Sequence, residues 1–195
     1  DLMEECLARK EFKYHDYSNG TAETICNLGN AFACVSNLDV FENVKRDPEW
    51  VKYKNSLVDY AEFEDAIFCH GWIPCLANDP IKYHSSDITY SFYNGWREGN
   101  WDRARWINGM DAWNQGVKVP GKTIFSGHWH TSWGHNKIHK TSPEWDNPYS
   151  TNPEHRKADF NPFIDEGICA IDACTAYSHK VNIVKYETES RVNIH

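Results

Sequence analysis

The chain has no run of apolar residues approaching the roughly 18–20 that a membrane-spanning helix needs. Its first ten residues, DLMEECLARK, are charged and lack the apolar core of a secretory signal peptide. Positive charge is also scarce, since 20 basic residues face 28 acidic ones and the net charge is −8. We therefore expect no membrane partner and no nucleic-acid partner, because both kinds of binding favour a basic surface.

The sequence also lacks any C-x-x-C motif, which excludes zinc ribbons and thioredoxin-type redox sites. Its seven cysteines are an odd number, and most of them lie in apolar runs. Buried free thiols are typical of a reducing compartment. We therefore expect a cytoplasmic protein.

The 195 residues suffice for one domain whose core needs no cross-links. We predict a single α/β domain over 1–195, in which a helical segment (1–62) precedes the part that carries the sheet (63–195). The sequence DPE at 47–49 is a typical helix start, with a capping aspartate and a proline in the first turn. The apolar spacing behind it predicts that this helix continues to about Tyr60.

Four short apolar runs predict the strands of a mixed sheet flanked by helices. They are AIFCHG (66–71), TIFSGH (123–128), ICAIDAC (168–174) and KVNIVKYE (180–187). The sequence TAYSH joins the last two and predicts a hairpin, so we expect that pair to be antiparallel. A tryptophan-rich helix is predicted over 101–114, and a long proline-rich loop over 134–165; loops of that length are typically functional or mobile.

Histidines follow two of the predicted strands at the point where each strand ends. His70 comes directly after AIFC, and His128 and His130 follow the glycine that ends TIFSG. Ligands of open α/β sheets bind beyond the carboxyl ends of the strands. Imidazole suits manganese, iron and zinc, so the sequence predicts a transition-metal site at this edge.

Three segments resemble the second half of a calcineurin-like metallophosphoesterase: FCHGWIP, GHWHTSWGH and ICAIDACTAYSHKVNIVKYE. The bacterial serine/threonine-phosphatase-like branch is the nearest match, and the resemblance covers about 64–187. The family has five signature blocks, GDxH, GDxxD, GNH[ED], a lone histidine after a strand, and GHxH. The first three are absent from this sequence. We interpret the chain as a truncated, C-terminal portion of a metallophosphoesterase-type sandwich.

The resemblance implies a hydrolase in which a hydroxide activated by two metals, such as manganese, attacks a phosphoester. It assigns His70 and His128 to the second metal and His130 to the first. The blocks that supply the other ligands are absent, so each metal keeps fewer than the roughly three protein ligands typical of a catalytic site. We therefore expect no more than one bound metal, and little or no phosphatase activity, from this chain alone.

Further residues have both a functional and a structural interpretation. Arg105, or less favourably Arg103, could clamp a phosphate, although a solvated arginine on a helix face is the more common case. Asp172 could orient a ligand histidine or make a structural hydrogen bond. Trp72 and Trp129 directly follow ligand positions and could form the wall of a pocket, or they could pack in the core.

Two other function classes remain open from the residues. The chain could be a non-catalytic metal-binding or pseudo-enzyme module, or a carbohydrate-binding module, which abundant tryptophan and acidic charge would suit. For the phosphoesterase, the substrate partner is a phosphoprotein or a small phosphoester. An incomplete sheet would leave an open edge, so self-association into a homo-oligomer is also expected.

Overall fold

A computed structural model describes residues 2–34, 36–78, 88–144, 158–187 and 193–194 of the chain. Contacts divide the chain into two compact units, Asp1–Leu57 and Val58–His195. Within the described residues, no helix combines the length and the apolar character needed to span a bilayer. The chain is a mixed α/β protein, as the sequence predicts.

The first unit consists of short helices around a small apolar core. The helices are α1 (Leu2–Arg9), α2 (Tyr14–Ser18), α3 (Thr21–Leu28), α4 (Asn37–Arg46) and α5 (Pro48–Ser56). Its fully buried apolar side chains come from three of them: Cys6, Leu7, Ile25, Val40, Phe41 and Val44. The predicted start of α5 is confirmed, because the side chain of Asp47 accepts a hydrogen bond from the backbone N–H of Trp50 at 2.7 Å.

The predicted helical segment 1–62 ends earlier than the sequence pattern indicates. Helix α5 stops at Ser56, and residues 60–62 form a strand instead. None of the residues of α5 is fully buried, and although Trp50 packs partly buried against the core of this unit, the apolar residues after it do not form a buried face. Tyr60 is held in the strand by pairing with Cys69 and by stacking on Trp101, at 4.6 Å between ring centroids.

Asp16 is the buried charge of the helical unit, with no exposed side-chain surface. Its Oδ2 accepts hydrogen bonds from Arg9 at 2.6 Å and from the backbone N–H of Lys13 at 2.7 Å. Burial by itself would raise the pKa of Asp16, but the Lys13 N–H and the Arg9 guanidinium outweigh it and lower this pKa. The folded unit therefore prefers the charged carboxylate.

We expect Asp16→Asn to destabilise this unit by about 1–2 kcal/mol at neutral pH, since the negative charge that strengthens the hydrogen bonds from Arg9 and Lys13 is removed. A carboxyl group with a lowered pKa stabilises the fold above its unfolded pKa, and this contribution disappears as the pH falls below about 4. Amide hydrogen exchange of α1 and α2 measures the effect. Glu23→Gln, at an exposed position, is the control; equal exchange rates in Asp16→Asn and this control would contradict the prediction.

The second unit contains a mixed sheet with the strand order β6-β7-β5-β2-β1-β8. The strands are β1 (Tyr60–Glu62), β2 (Ala66–Cys69), β5 (Thr123–Ser126), β6 (Phe163–Asp165), β7 (Ile168–Ala170) and β8 (Asn193–Ile194). Strands β2, β5 and β7 are parallel, whereas β1 and β6 run antiparallel to their neighbours. A separate pair, β3 (Leu76–Ala77) and β4 (Tyr90–Ser91), is also antiparallel.

Short helices complete the second unit. They are α6 (Trp101–Ala104), α7 (Gly109–Asn114), α8 (Thr131–His139) and α9 (Thr175–Ser178). The predicted continuous helix 101–114 is thus two helices, because Asn108 interrupts it and caps α7 by accepting a hydrogen bond from the N–H of Asp111. The predicted loop 134–165 begins inside α8 and ends in β6, and its residues 145–157 lie outside the described part.

The antiparallel hairpin at the end of the sheet differs from the predicted one. Strand β7 pairs with β6, which precedes it, and the TAYS sequence that was expected to form a turn is helix α9. Both edges of β7 are occupied, by β5 and β6, so residues 180–187 cannot pair with it. Instead, the ring of Tyr186 lies against Phe63, Phe68 and Phe125 at 5.3–5.6 Å between centroids.

Candidate metal centre

The carboxyl ends of β2 and β5 bring two of the predicted ligands together. The two strands are parallel and in register, and the N–H of Gly127 donates to the carbonyl of His70 at 2.8 Å just beyond them. As a result, Nε2 of His70 lies 3.2 Å from Nδ1 of His128. This is the distance of a direct hydrogen bond between the two rings. Two nitrogen ligands about 2.0–2.1 Å from one tetrahedral ion lie about 3.3 Å apart, so the spacing also fits a shared metal.

His128 adopts a backbone conformation that is uncommon for a residue with a side chain. Its φ angle is +64°, in the left-handed region. Trp106 contacts the imidazole of His128 edge-on, at 5.2 Å between ring centroids. Backbone outliers of this kind are concentrated at functional sites, because the surrounding structure must hold them in place.

The environment of His70 favours the form of imidazole that binds metals. Desolvation lowers the pKa of His70; the carboxylate of Asp172 acts in the opposite direction, and the guanidinium of Arg105 lowers the pKa further. The ring is therefore neutral at physiological pH. A neutral imidazole has a free nitrogen lone pair for a metal ion.

His130 lies in a different group of side chains. Its Nδ1 is 2.8 Å and 3.0 Å from the two carboxylate oxygens of Glu144. One ligand atom each from His130, Glu144 and Cys174 lies within 4.8 Å of the other two. Among the described residues, no comparable cluster joins His130 to His70 and His128. The assignment of His130 to a separate metal from that pair stays a prediction.

The two arginines predicted as phosphate clamps have carboxylate or core neighbours. The guanidinium of Arg105 lies 2.7 Å from Asp59 and 3.3 Å from Asp102. Arg103 lies near the side chains of Cys75 and Tyr90. Burial raises the pKa of each of these two groups to about 12, and the positive charge of Arg103 partly opposes that increase. A phosphate would have to compete with the two carboxylates for Arg105.

Asp172 makes the structural hydrogen bond that the sequence left as an alternative to orienting a histidine. Its Oδ1 accepts from the backbone N–H of Cys174 at 2.8 Å, and its carbonyl accepts from the N–H of Thr131 at 2.9 Å. Asp172 also influences His70 electrostatically, as described above. It therefore links the end of β7 to both groups of potential ligands.

The two tryptophans predicted to form a pocket wall have different environments. Trp72 has no exposed surface, and its Nε1 donates to the carbonyl of Val117 at 3.1 Å. Of the two interpretations of Trp72, its burial favours packing in the core. Trp129 is half-buried and donates from Nε1 to the carbonyl of Trp106 at 3.3 Å, beside the histidine pair.

Sequence reasoning missed three residues of these groups. The sequence places Trp106 in a predicted tryptophan-rich helix, Glu144 in a predicted long loop, and Cys174 among several cysteines of apolar runs. Burial and the neighbouring Glu144 carboxylate raise the pKa of Cys174, which favours the thiol over the thiolate. The C-terminal cysteine of the ICAIDAC run carries no pattern that would have singled it out.

No family model matches this chain. No curated protein and no solved structure matches it either. Its function must therefore be argued from the geometry of its own residues.

Proposed function

We propose that this chain contributes to a metal-dependent phosphoesterase of the calcineurin-like type, with His70 and His128 as ligands of one divalent transition metal. The observation that carries the proposal is the 3.2 Å distance between Nε2 of His70 and Nδ1 of His128 at the ends of two parallel strands. Manganese, iron and zinc all suit neutral imidazole. Such an ion lowers the pKa of bound water and neutralises charge that develops on a phosphoryl group.

The residues of this chain have separate roles in the proposal. His70 and His128 bind the ion, and the desolvation of His70 keeps its ring neutral for that purpose. The ring of Trp106 packs perpendicular to the imidazole of His128. Arg105 lies near enough to influence His70 and is the cation available to a phosphoester, provided that Asp59 and Asp102 release it.

The sheet supports the corresponding fold proposal. We propose that residues 63–195 represent the C-terminal half of a metallophosphoesterase-type sandwich, because β2, β5 and β7 are parallel neighbours that end at a common edge. The substrate is proposed to be a phosphoprotein or a small phosphoester. We also propose a cytoplasmic location, since all seven cysteines are free thiols.

A non-catalytic metal-binding module is the second candidate. It is favoured by the ion pairs of Arg105, which occupy the guanidinium that a phosphate would need. It is also favoured by the number of ligands, since the pair provides two imidazoles and catalytic metals usually have about three protein ligands. The two candidates share the metal and differ only in turnover.

Mn²⁺ titration followed by electron paramagnetic resonance tests the shared metal. We expect His70→Ala and His128→Ala each to weaken Mn²⁺ binding at least about tenfold, which corresponds to about 1.4 kcal/mol. His179→Asn is the control, because His179 is exposed and asparagine tolerates its positive φ angle. Unchanged Mn²⁺ affinity in both alanine variants would contradict the proposal.

A phosphatase assay tests whether the isolated chain catalyses hydrolysis by itself. We expect hydrolysis of p-nitrophenyl phosphate with added Mn²⁺ to be no faster than in the double variant His70→Ala, His128→Ala, because the ligand set is small. A rate clearly above that of the double variant would contradict this expectation and would favour catalysis by this chain itself.

A further inference from the structure

A second group of potential metal ligands lies apart from the histidine pair. It consists of His130 at the residue that precedes α8, Glu144 beyond the end of that helix, and Cys174 at the residue that precedes α9. Each offers a different donor atom, an imidazole nitrogen, a carboxylate oxygen or a thiol sulfur. These atoms all lie within 4.8 Å of one another.

The carboxylate of Glu144 is the centre of this group. Its side chain is only 6% exposed, and a buried carboxylate needs hydrogen bonds or a positive charge to compensate for lost hydration. His130 contacts both of its oxygens, and the hydroxyl of Ser132 donates to Oε2. Among the described residues no lysine or arginine forms an ion pair with Glu144, so no permanent positive charge neutralises this carboxylate.

The backbone around the group holds its members in place. The carbonyl of Asp172 accepts from the N–H of Thr131, next to His130, and its carboxylate accepts from the N–H of Cys174. Cys174 has a φ angle of +49°, a conformation that aims its side chain toward Glu144 and that must be imposed by its surroundings. The ligands of a tetrahedral zinc ion lie about 3.3–3.6 Å apart, so Nδ1 of His130 must move about 0.5 Å away from the Glu144 carboxylate. No other pair of donors needs to approach by more than about 1.5 Å, because all three lie within 4.8 Å of one another.

We propose that His130, Glu144 and Cys174 bind a single Zn²⁺ ion, with the fourth coordination position open to solvent. Nitrogen, oxygen and sulfur donors together favour zinc over the harder cations magnesium and calcium. On binding, the S–H bond of Cys174 is replaced by a bond between sulfur and the metal, and the proton is released to solvent. The imidazole of His130 exchanges its hydrogen bond to Glu144 for a bond to the metal, and the ring proton moves to the other nitrogen through solvent. The side chain of His130 is 34% exposed, which gives an ion a path from solvent.

Ser132 has a positioning role in this site. Its side chain is fully buried, and its hydroxyl donates to the carboxylate oxygen of Glu144. A hydrogen bond of this kind orients a ligand and typically changes metal affinity by about 10–100-fold when it is removed. None of the three ligands belongs to the pair of His70 and His128, so this zinc site can be tested apart from that metal, although the resemblance assigns His130 to the other metal of a phosphoesterase.

Cobalt substitution tests the site on the full chain. Co²⁺ bound to a thiolate gives a near-ultraviolet charge-transfer band that an imidazole–carboxylate site cannot give. We expect the wild-type chain to show this band at one Co²⁺ per chain, Zn²⁺ to abolish it by displacement, and Cys174→Ser to lack it. Cys34→Ser is the matched control, since Cys34 is another half-buried thiol, and it should keep the band.

Two further variants are expected to keep the thiolate band, so their results do not depend on whether Cys174→Ser folds. Glu144→Gln preserves the shape of the side chain and should weaken Co²⁺ binding at least about tenfold while the thiolate band remains. His70→Ala should leave the band and the affinity unchanged, which separates this site from the proposed phosphoesterase metal. Absence of the band in the wild-type chain, its persistence in Cys174→Ser, unchanged affinity in Glu144→Gln, or its loss in His70→Ala would each overturn the proposal.

Discussion

Replacement of Trp72 by alanine is expected to lower the free energy of unfolding of residues 58–195 by about 3–5 kcal/mol. The side chain is fully buried in the core of the second unit, and its indole N–H is hydrogen-bonded to the carbonyl of Val117. Truncation removes the apolar contact, leaves a cavity, and leaves that carbonyl without its donor. Urea unfolding followed by far-ultraviolet circular dichroism measures the loss.

Two other variants show whether the effect comes from burial. Trp72→Phe keeps an aromatic ring in the core and should lose clearly less stability than Trp72→Ala. Trp129→Ala removes a tryptophan that is only half-buried, so we expect a smaller loss there as well. Equal losses of unfolding free energy in Trp72→Ala and Trp129→Ala would contradict the assignment of Trp72 to the core. They would favour the alternative interpretation, in which Trp72 forms part of a pocket wall.

Gly71→Ala is expected to disrupt both the fold and the metal affinity. A Cβ atom at this position would lie 2.4 Å from the carbonyl oxygen of Arg105 and 2.6 Å from that of Ala104. These are backbone atoms that cannot rotate away, so β2 and the segment before α7 must separate. We expect about 1–3 kcal/mol of destabilisation, together with a displacement of His70 that weakens Mn²⁺ binding at least about tenfold.

Gly127→Ala is the matched control, because Gly127 directly precedes the other ligand of the pair. A Cβ atom there would lie 3.6 Å from the carbonyl oxygen of His70, which is an ordinary contact distance. The two variants make the same chemical change on equivalent strands. Gly127→Ala should therefore retain stability and Mn²⁺ affinity, and a similar loss in both variants would show that close packing at Gly71 is not the cause.

The central strands could be predicted from the sequence because each is an apolar run followed by glycine or a polar residue. Strands β2, β5 and β7 are confirmed at 66–69, 123–126 and 168–170. Strand β6 was missed, since it has three residues and only Phe163 among them is buried. The predicted strand at 180–187 is wrong because alternating apolar residues do not reveal that both edges of β7 are already paired.

The candidate site also contains residues that the sequence could predict and residues that it could not. Parallel strand ends lie at one edge of a sheet, and this rule was enough to expect His70 and His128 near each other. Glu144 comes from a polar segment without periodicity, and its approach to His130 depends on how the chain turns after α8. Such a contact depends on tertiary structure, so no local pattern in the sequence predicts it.

Nitrogen NMR of the histidine rings during a Zn²⁺ titration tests the central claim most directly. The Cys174→Ser variant is used, so that the thiolate of the second site is absent. If His70 and His128 share one ion, Nε2 of His70 and Nδ1 of His128 will shift together and reach saturation at the same Zn²⁺ concentration, while the ring of His179 stays unchanged. A response from only one ring of the pair, or from neither, would contradict the shared metal.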